Sequence, residues 1–331
     1  MRTSAVLTSA LWLLVGCTHT ESFHHDYLVT ADFETAPVPS RDDAADDPAI
    51  WINQSDPSNS LIIGTDKGSG LLSYTLEGDQ VQYLPNGKFN NVDLRSRGNN
   101  TLIAATQRDP SRIALFLLDH VNGQIEQIAS HETELAEPYG ICMYQDVQDY
   151  VIANSKDGTF IQYEVGENYA LIPRRSWQTQ TQPEGCVADD AAHRLYYGEE
   201  AAGIWEISAR VGAPTEAISF DRVENGNLVA DVEGLTLYTT EARTLLIASS
   251  QGDNSYAIYD VANRAHLVSF QIAAGAVIDG ASETDGIAAT PKPLPGFSKG
   301  ILVVQDGYNL NPAEKQNFKI VSWEKIAQLL P

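Results

Sequence analysis

The sequence predicts an all-β fold, a six-bladed β-propeller with four antiparallel strands per blade. Three observations predict it. A short turn-like motif with a polar first residue recurs six times at intervals of 44 to 52 residues. About 16 to 21 residues after each motif's key position, an apolar β-type run ends in a polar residue. A third run, mostly alternating apolar and polar, follows each time. Periods of this length mark stacked or circular supersecondary units, and four short strands per unit mark propeller blades.

The motifs, aligned on the key position, are Asp47-Pro48-Ala49-Ile50, Asn91-Val92-Asp93-Leu94, Tyr139-Gly140-Ile141-Cys142, Glu184-Gly185-Cys186-Val187, Glu233-Gly234-Leu235-Thr236 and Asp285-Gly286-Ile287-Ala288. The second runs are Leu61 to Lys67, Leu102 to Arg108, Tyr150 to Lys156, Leu195 to Glu200, Leu245 to Gln251 and Ile301 to Asp306. The third runs are Leu71 to Leu76, Ile113 to Leu118, Phe160 to Val165, Ile204 to Ser208, Tyr256 to Tyr259 and Phe318 to Trp323. Their aromatics, among them Tyr74, Phe116, Tyr163 and Trp205, suit half-buried strands. Outer strands are expected near Val81 to Tyr83, Ile125 to Ile128, Ala217 to Phe220 and Leu267 to Ile272, whereas 170–176 reads less clearly. Tyr27 to Phe33 is an extra strand, expected to complete the last blade and latch the ring. Only Trp323 to Leu330 suits a helix. Residues 27–331 are read as one propeller domain.

Residues 1–16 read as a signal peptide: Arg2 opens it, Ala5 to Val15 is apolar and too short to span a bilayer, and Leu14-Val15-Gly16-Cys17 resembles a lipoprotein box with Cys17 as the lipidated residue. Residues 17–26 are a polar tether. The expected location is the cell envelope, on a lipid anchor that is the only membrane contact, or secretion if the anchor fails. Cys142 and Cys186 remain, on adjacent inner strands; they form either a disulfide, which an exported protein allows, or two buried thiols. The net charge of −23 becomes −24 when the single charge of Arg2 is lost. Nucleic acid is therefore excluded as a partner, because phosphate-backbone binding needs a broad basic surface. A monomer is expected.

A ring of six brings the key positions Asp47, Asn91, Tyr139, Glu184, Glu233 and Asp285 to one axis, with Asp46, Asn90, Asp93, Asp231 and Asp279 nearby. Carboxylates at that density repel, and a divalent cation removes the penalty. All-oxygen donors without His or Cys select several Ca²⁺ ions; taken singly, each Asp or Glu would be an ordinary turn former. The ends of the second runs, Lys67, Arg108, Lys156, Glu200, Gln251 and Asp306, divide the same face into a basic and an acidic half. Cations beside calcium make an anion site suited to phosphate. No Ser-His-Asp set, zinc spacing or phosphate loop is visible, so a metal-activated water is the expected nucleophile.

At this point Asp46-Asp47-Pro48-Ala49-Ile50-Trp51, Gly64-Thr65-Asp66-Lys67, Asn90-Asn91-Val92-Asp93-Leu94-Arg95, Glu184 to Asp190, Glu199-Glu200, Glu233-Gly234-Leu235-Thr236, Ala248 to Gly252, Thr284-Asp285-Gly286-Ile287 and Gln316-Asn317-Phe318 together resemble the β-propeller (alkaline) phytases, from about residue 27 to 326. The resemblance implies stepwise hydrolysis of calcium phytate (myo-inositol hexakisphosphate) to lower inositol phosphates, by attack of calcium-bound water. It implies calcium ligands at Asp46, Asp47, Glu184, Glu200, Glu233 and Asp279, and phosphate contacts at Tyr139, Lys67, Arg108 and Lys156. Asn90, the Val92 carbonyl, Asp285, Gln251 and Asn309 would hold further calcium. Asp47, Glu184, Glu233, Tyr139 and Lys67 are the implied catalytic set. The resemblance also implies a neighbouring affinity site that holds another phosphate; Gly68 stands where the family often has a second Lys, a departure expected to weaken that site, and Glu283 and Ala288 also depart. One alternative is a non-catalytic calcium-binding lipoprotein propeller that recognises a polyanion or a protein. Another is a propeller lactonase or sugar dehydrogenase, which would need a channel His or a stacking Trp, and none occupies a key position.

Overall fold

The alternating runs form strands because each must bury one face against a neighbouring sheet. In the computed structural model, which describes residues 27–310 and 313–331, they build six sheets. The leader, the tether and Cys17 lie outside the described residues. Blade 1 runs outward through Ala45–Trp51, Leu61–Asp66, Gly70–Tyr74 and Gln80–Leu84, all antiparallel. The inner strands of the next five blades are Phe89–Arg97, Pro138–Gln145, Pro183–Asp189, Val232–Thr239 and Ile287–Thr290. Outer strands stand where the sequence places them, at Ile125–Glu132, Ile218–Arg222 and Ala265–Ala273. The obscure stretch is a strand too, Leu171–Gln178. Its Pro173-Arg174-Arg175 hides the pattern, and Pro is tolerated because this is an edge strand. The segment from Trp323 holds one short helix, Trp323–Ala327.

The N-terminal segment divides rather than forming one strand. Leu28–Thr30 adds in parallel to the outer strand of blade 5, and Phe33–Glu34 pairs antiparallel with Asn317–Ser322 as the fourth strand of blade 6. Asp32 makes the step between the two: its N–H donates to Ile320 O (2.8 Å), while its carboxylate accepts the Ser322 N–H (2.7 Å) and pairs with Lys325 (2.8 Å). The latch is also electrostatic. Lys319 is wholly buried and meets Glu34 at 2.5 Å, Asp279 at 2.5 Å and Asp306 at 3.2 Å. A buried ammonium is tolerated only with such compensation.

The core is six apolar wedges, one between each pair of neighbouring blades. Aromatic pairs fill several: Phe89 and Phe116 edge to face at 5.6 Å, Phe160 and Trp177 stacked at 4.8 Å, and Tyr238 and Trp323 stacked at 3.6 Å. Each such pair contributes about 0.5–1.5 kcal/mol beyond its buried area. Between blades 3 and 4 the wedge is covalent: Cys142 and Cys186 form a disulfide, with Cα atoms 5.7 Å apart, across inner strands 44 residues apart in sequence.

Closing a loop of that length restricts the unfolded chain. The Cys142→Ala/Cys186→Ala double variant should lose about 2–4 kcal/mol of unfolding free energy in a urea titration. An unchanged midpoint and slope would show that the bridge adds nothing.

Candidate active site

Five of the six motifs lie on a β-bulge. In blades 1 to 5 the register of the inner strand slips by one residue at the motif, between Ala45 and Pro48, Phe89 and Val92, Pro138 and Ile141, Pro183 and Cys186, and Val232 and Leu235. Two residues then oppose one, which bends the strand and redirects side chains. A polar residue on the second strand accepts the displaced N–H: Thr65 Oγ1 from Asp47 (3.0 Å), Thr106 Oγ1 from Asn91 (3.2 Å) and Asn154 Oδ1 from Gly140 (2.9 Å). Gln305 Oε1 does the same for Asp285 in blade 6 (2.8 Å).

This register corrects the alignment of the first two blades by one residue. The bulge pairs are Asp46–Asp47, Asn90–Asn91, Tyr139–Gly140, Glu184–Gly185 and Glu233–Gly234; Asp285–Gly286 takes the matching place in blade 6, with the Gly234 N–H on Asp285 O and the Gly286 N–H on Asp46 O. Asp46 and Asn90, rather than Asp47 and Asn91, are therefore the equivalents of Tyr139, Glu184, Glu233 and Asp285. The glycine place is tight: a Cβ on Gly140 would stand 1.9 Å from Glu184 O, and one on Gly185 2.2 Å from Glu233 O. Asp47 fills that place in blade 1, reaching over Gly286 and accepting the Val92 N–H at 3.0 Å. First residues of the pairs (Tyr139, Glu233, Asp285) line a cavity of about 1000 Å³ at one mouth of the ring; second residues (Asp47, Asn91, Gly185, Gly234) and Val92 line a central channel of about 230 Å³.

The second ring needs a similar correction in blade 6. Lys67, Arg108, Glu200 and Gln251 each donate a backbone N–H to the segment before their own inner strand (2.7–3.0 Å), and the residue that does so in blade 6 is Gly307, to Ser282 O at 2.7 Å. Asp306 lies one residue earlier and turns inward to Lys319. The apolar run ends at Val304, so counting polar ends selected the wrong residue.

The mouth has a basic and an acidic half, but Lys67, expected with the cations, lies on the acidic side. On one side the Tyr139 ring lies between two cations, with Arg108 5.3 Å and Lys156 4.5 Å from its centroid. Burial, then the nearby Glu184 and Asp46, hold the Tyr139 hydroxyl well above its usual pKa, so it stays protonated. The Arg108 Nε is buried without a partner. On the other side, oxygens of Glu184, Glu200 and Glu233 lie within 4.8 Å of one another. Lys67 belongs to this half: it is 8 % exposed and meets Asp43 at 2.5 Å, Asp285 at 3.0 Å and Asp46 at 3.2 Å. Gln251 Nε2 donates to Asp285 Oδ1 at 2.6 Å. Asn309 lines the cavity as well. Asp279 is not brought to the cluster; its oxygens take Lys319 and the Leu310 N–H.

Burial first, and mutual repulsion after it, lift these carboxyls. Glu233 and Asp285 lie well above the ordinary range, Asp47 likewise, and Glu184 is raised; Glu200 is pushed up from 4.5 to about 7. Asp46 Oδ2, Asn90 Oδ1, Glu233 Oε2 and Asn309 Oδ1 are buried with no hydrogen-bond partner. Unsatisfied hard oxygens, two from carboxyls and two from amides, without His or Cys fit a calcium-type cation.

Several contributors escaped the sequence reading. Gln182 donates to Glu200 Oε1, and Arg95 closes the far end of the channel, bound to Asp190 (2.8 Å), Asp93 (3.1 Å) and Met143 O (2.6 Å). A usable signal for the bulge acceptors was present: Thr65, Thr106 and Asn154 each stand two residues before a cation of the second ring.

The raised pKa values set the pH response of the chelated protein. An acid whose folded pKa exceeds its unfolded value contributes stability at low pH, which is lost as the pH rises through the folded pKa. With chelator present, thermal stability should therefore fall between about pH 4.5 and 7, the Glu200 window, and calcium should restore it most strongly at the upper end. Equal melting temperatures at both ends of the range in chelator would contradict this.

The family model described as Phytase matches residues 2–331. The 3-phytase of Bacillus subtilis (strain 168) is 39% identical over 354 aligned residues, covering 98% of this chain and 93% of that protein. Among solved structures, a chain of a nidogen/laminin complex superposes with a TM-score of 0.50 at 12% identity, covering 72% of this chain and 82% of that one; it shares architecture alone. A functionally unknown protein from Desulfotomaculum acetoxidans DSM 771 gives a TM-score of 0.49 at 13% identity, over 65% and 68% of the two chains. On the strength of the near full-length family match and the Bacillus subtilis relative, this chain belongs to the phytase family.

Proposed function

We propose that the protein is a calcium-dependent, 3-phytase-type phosphoric monoester hydrolase that removes phosphate stepwise from inositol hexakisphosphate. The observation that carries this reading is the split mouth, where Glu184, Glu200 and Glu233 converge on one side while Arg108 and Lys156 flank Tyr139 on the other. The acidic half, with Asp46, Asn90 and Asp285, would hold calcium; Asp47, Gln251 and Asn309 support it from the channel and the rim. Calcium held there supplies a Lewis acid that polarises the phosphate, activates water and offsets charge as it develops. Arg108 and Lys156 bind phosphate oxygens, and the Tyr139 hydroxyl, kept protonated, donates a hydrogen bond to one of them. Lys67 holds the Asp46 and Asp285 carboxylates in place. Asp279 acts here through Lys319 rather than as a ligand. A lipid anchor at Cys17 on the exported protein, and a monomeric state, complete the reading.

Phosphate release from calcium phytate should vanish in excess chelator and return on adding calcium; activity that survives thorough chelation would sink the calcium assignment. Lys67→Ala leaves three carboxylates without their cation, so kcat should fall at least roughly tenfold while the circular dichroism of the calcium-loaded protein keeps its β signature. Full turnover in that variant would remove Lys67 from the machinery.

A further inference from the structure

The mouth cavity has a cation that neither ring supplies. Arg41 stands at the apex of the segment between Val38 and Ala44 and lines the cavity together with Lys67, Arg108 and Lys156. That segment is tied down along its length. The Val38 N–H donates to Gln316 O (3.0 Å), the Ser40 N–H to Asp66 Oδ2 (2.9 Å), and the Ala44 and Ala45 N–H groups share Gln316 Oε1 (2.7 and 2.9 Å). The Pro39 carbonyl accepts from Lys315 Nζ. Gly68 permits the approach: a Cβ there would stand 2.3 Å from Ser40 Oγ and 2.6 Å from Ser40 Cβ. Asp42, at φ +62°, turns the chain directly after Arg41.

Fixed in this way, Arg41 is exposed, and among the described residues its guanidinium has no hydrogen bond or ion pair. Arg108 lies against the Tyr139 ring, and the two lysines are otherwise engaged. Lys67 is occupied by three carboxylates, and Lys156 has a loose pair with Glu137 at 3.6 Å. In a chain with 44 acidic and 21 basic residues, a guanidinium left unpaired at the rim of an anion-binding cavity is a place for an anion from outside. Blade 1 lies across the six-membered ring from blade 4, which carries Glu184 and Glu200. Arg41 stands exposed at the rim whereas Glu184 and Glu233 are buried near the axis, so the two would take different phosphates of one polyphosphorylated ligand.

We propose that Arg41 is a substrate-binding residue that holds, through its two-pronged guanidinium, a phosphate of the polyphosphorylated substrate other than the one being cleaved. The proposal rests on the functional reading above. It makes Arg41 a determinant of preference for highly phosphorylated substrates, with Gly68 and Ser40 setting its position.

The test compares wild type with Arg41→Ala, Arg41→Lys and Gly68→Ala, all calcium-loaded. With inositol hexakisphosphate, KM should rise roughly tenfold in Arg41→Ala, the value of one charge-assisted contact, while kcat stays within about twofold. Arg41→Lys should recover part of the loss, and Gly68→Ala should reproduce it by displacing Ser40. Calorimetric titration with inositol hexasulfate, which carries the same number of charged groups without a scissile phosphate, should show the same loss of affinity. That measurement reads Arg41 even if hydrolysis fails, so the failure of the functional reading and the failure of this proposal are distinguishable. Unchanged KM and unchanged hexasulfate affinity in Arg41→Ala would overturn it, as would a fall in kcat at constant KM.

Discussion

Carboxylates withdrawn from water within a few ångströms of one another repel, and the whole ring is arranged around that repulsion. Blades 1, 4, 5 and 6 each present an acid at the first place of their bulge or its equivalent: Asp46, Glu184, Glu233 and Asp285. Glu200 adds another from the second ring. One ammonium, Lys67, stands among Asp43, Asp46 and Asp285, and it is too little to neutralise the cluster. The burial that raises Glu184, Glu200, Glu233 and Asp285 goes with buried oxygens, Asp46 Oδ2 and Glu233 Oε2 among them, that have no hydrogen-bond partner. A set of groups that is costly as it stands becomes favourable once a divalent cation shares it, so the cost of the bare site and its affinity for metal have one origin.

The scaffold must resist that repulsion, and its means are visible at each level. Bulges aim the acids, and polar partners such as Thr65, Thr106 and Asn154 fix the bulges. Glycines at 140, 185 and 234 let neighbouring inner strands approach until backbone nearly meets backbone. Six apolar wedges hold the blades together from outside, and a disulfide reinforces the one between Tyr139 and Glu184. The latch of Glu34 on Lys319 prevents the ring from opening at its seam.

Much of this was legible in the sequence. The repeat gave six blades because each blade needs the same apolar pattern to fill the same wedge. The two half-rings of charge were legible because the second runs end in register. The lapses have specific causes. Asp47 was matched with Tyr139 because Asp-Pro looks like Asp-Gly in a one-letter string, whereas the bulge register depends on which residue faces Thr65. Asp306 was chosen over Gly307 because a glycine carries no chemistry to notice. Asp279 sits beside Lys319, a pairing across 40 residues that no local pattern announces. Arg41 lay outside both repeats, in a connecting segment whose course only tertiary contacts define.

The seam of the wheel has a consequence for how the molecule is made. Phe33–Glu34 cannot pair until Asn317–Ser322 exists, so one of the first described strands must wait for the last. Until then the first and sixth sheets present uncovered flanks, and the acids that will face each other across the axis are still far apart. The side of the cation site that blade 1 supplies, with Asp46 and Lys67 beside Asp285 of blade 6, is thus complete only when the seam closes. Because the two described ends of the chain, around Asp32 and Lys325, meet at one seam, joining residue 27 to the C-terminal end with a short linker and cutting the chain between two other blades should give a rearranged polypeptide that closes elsewhere.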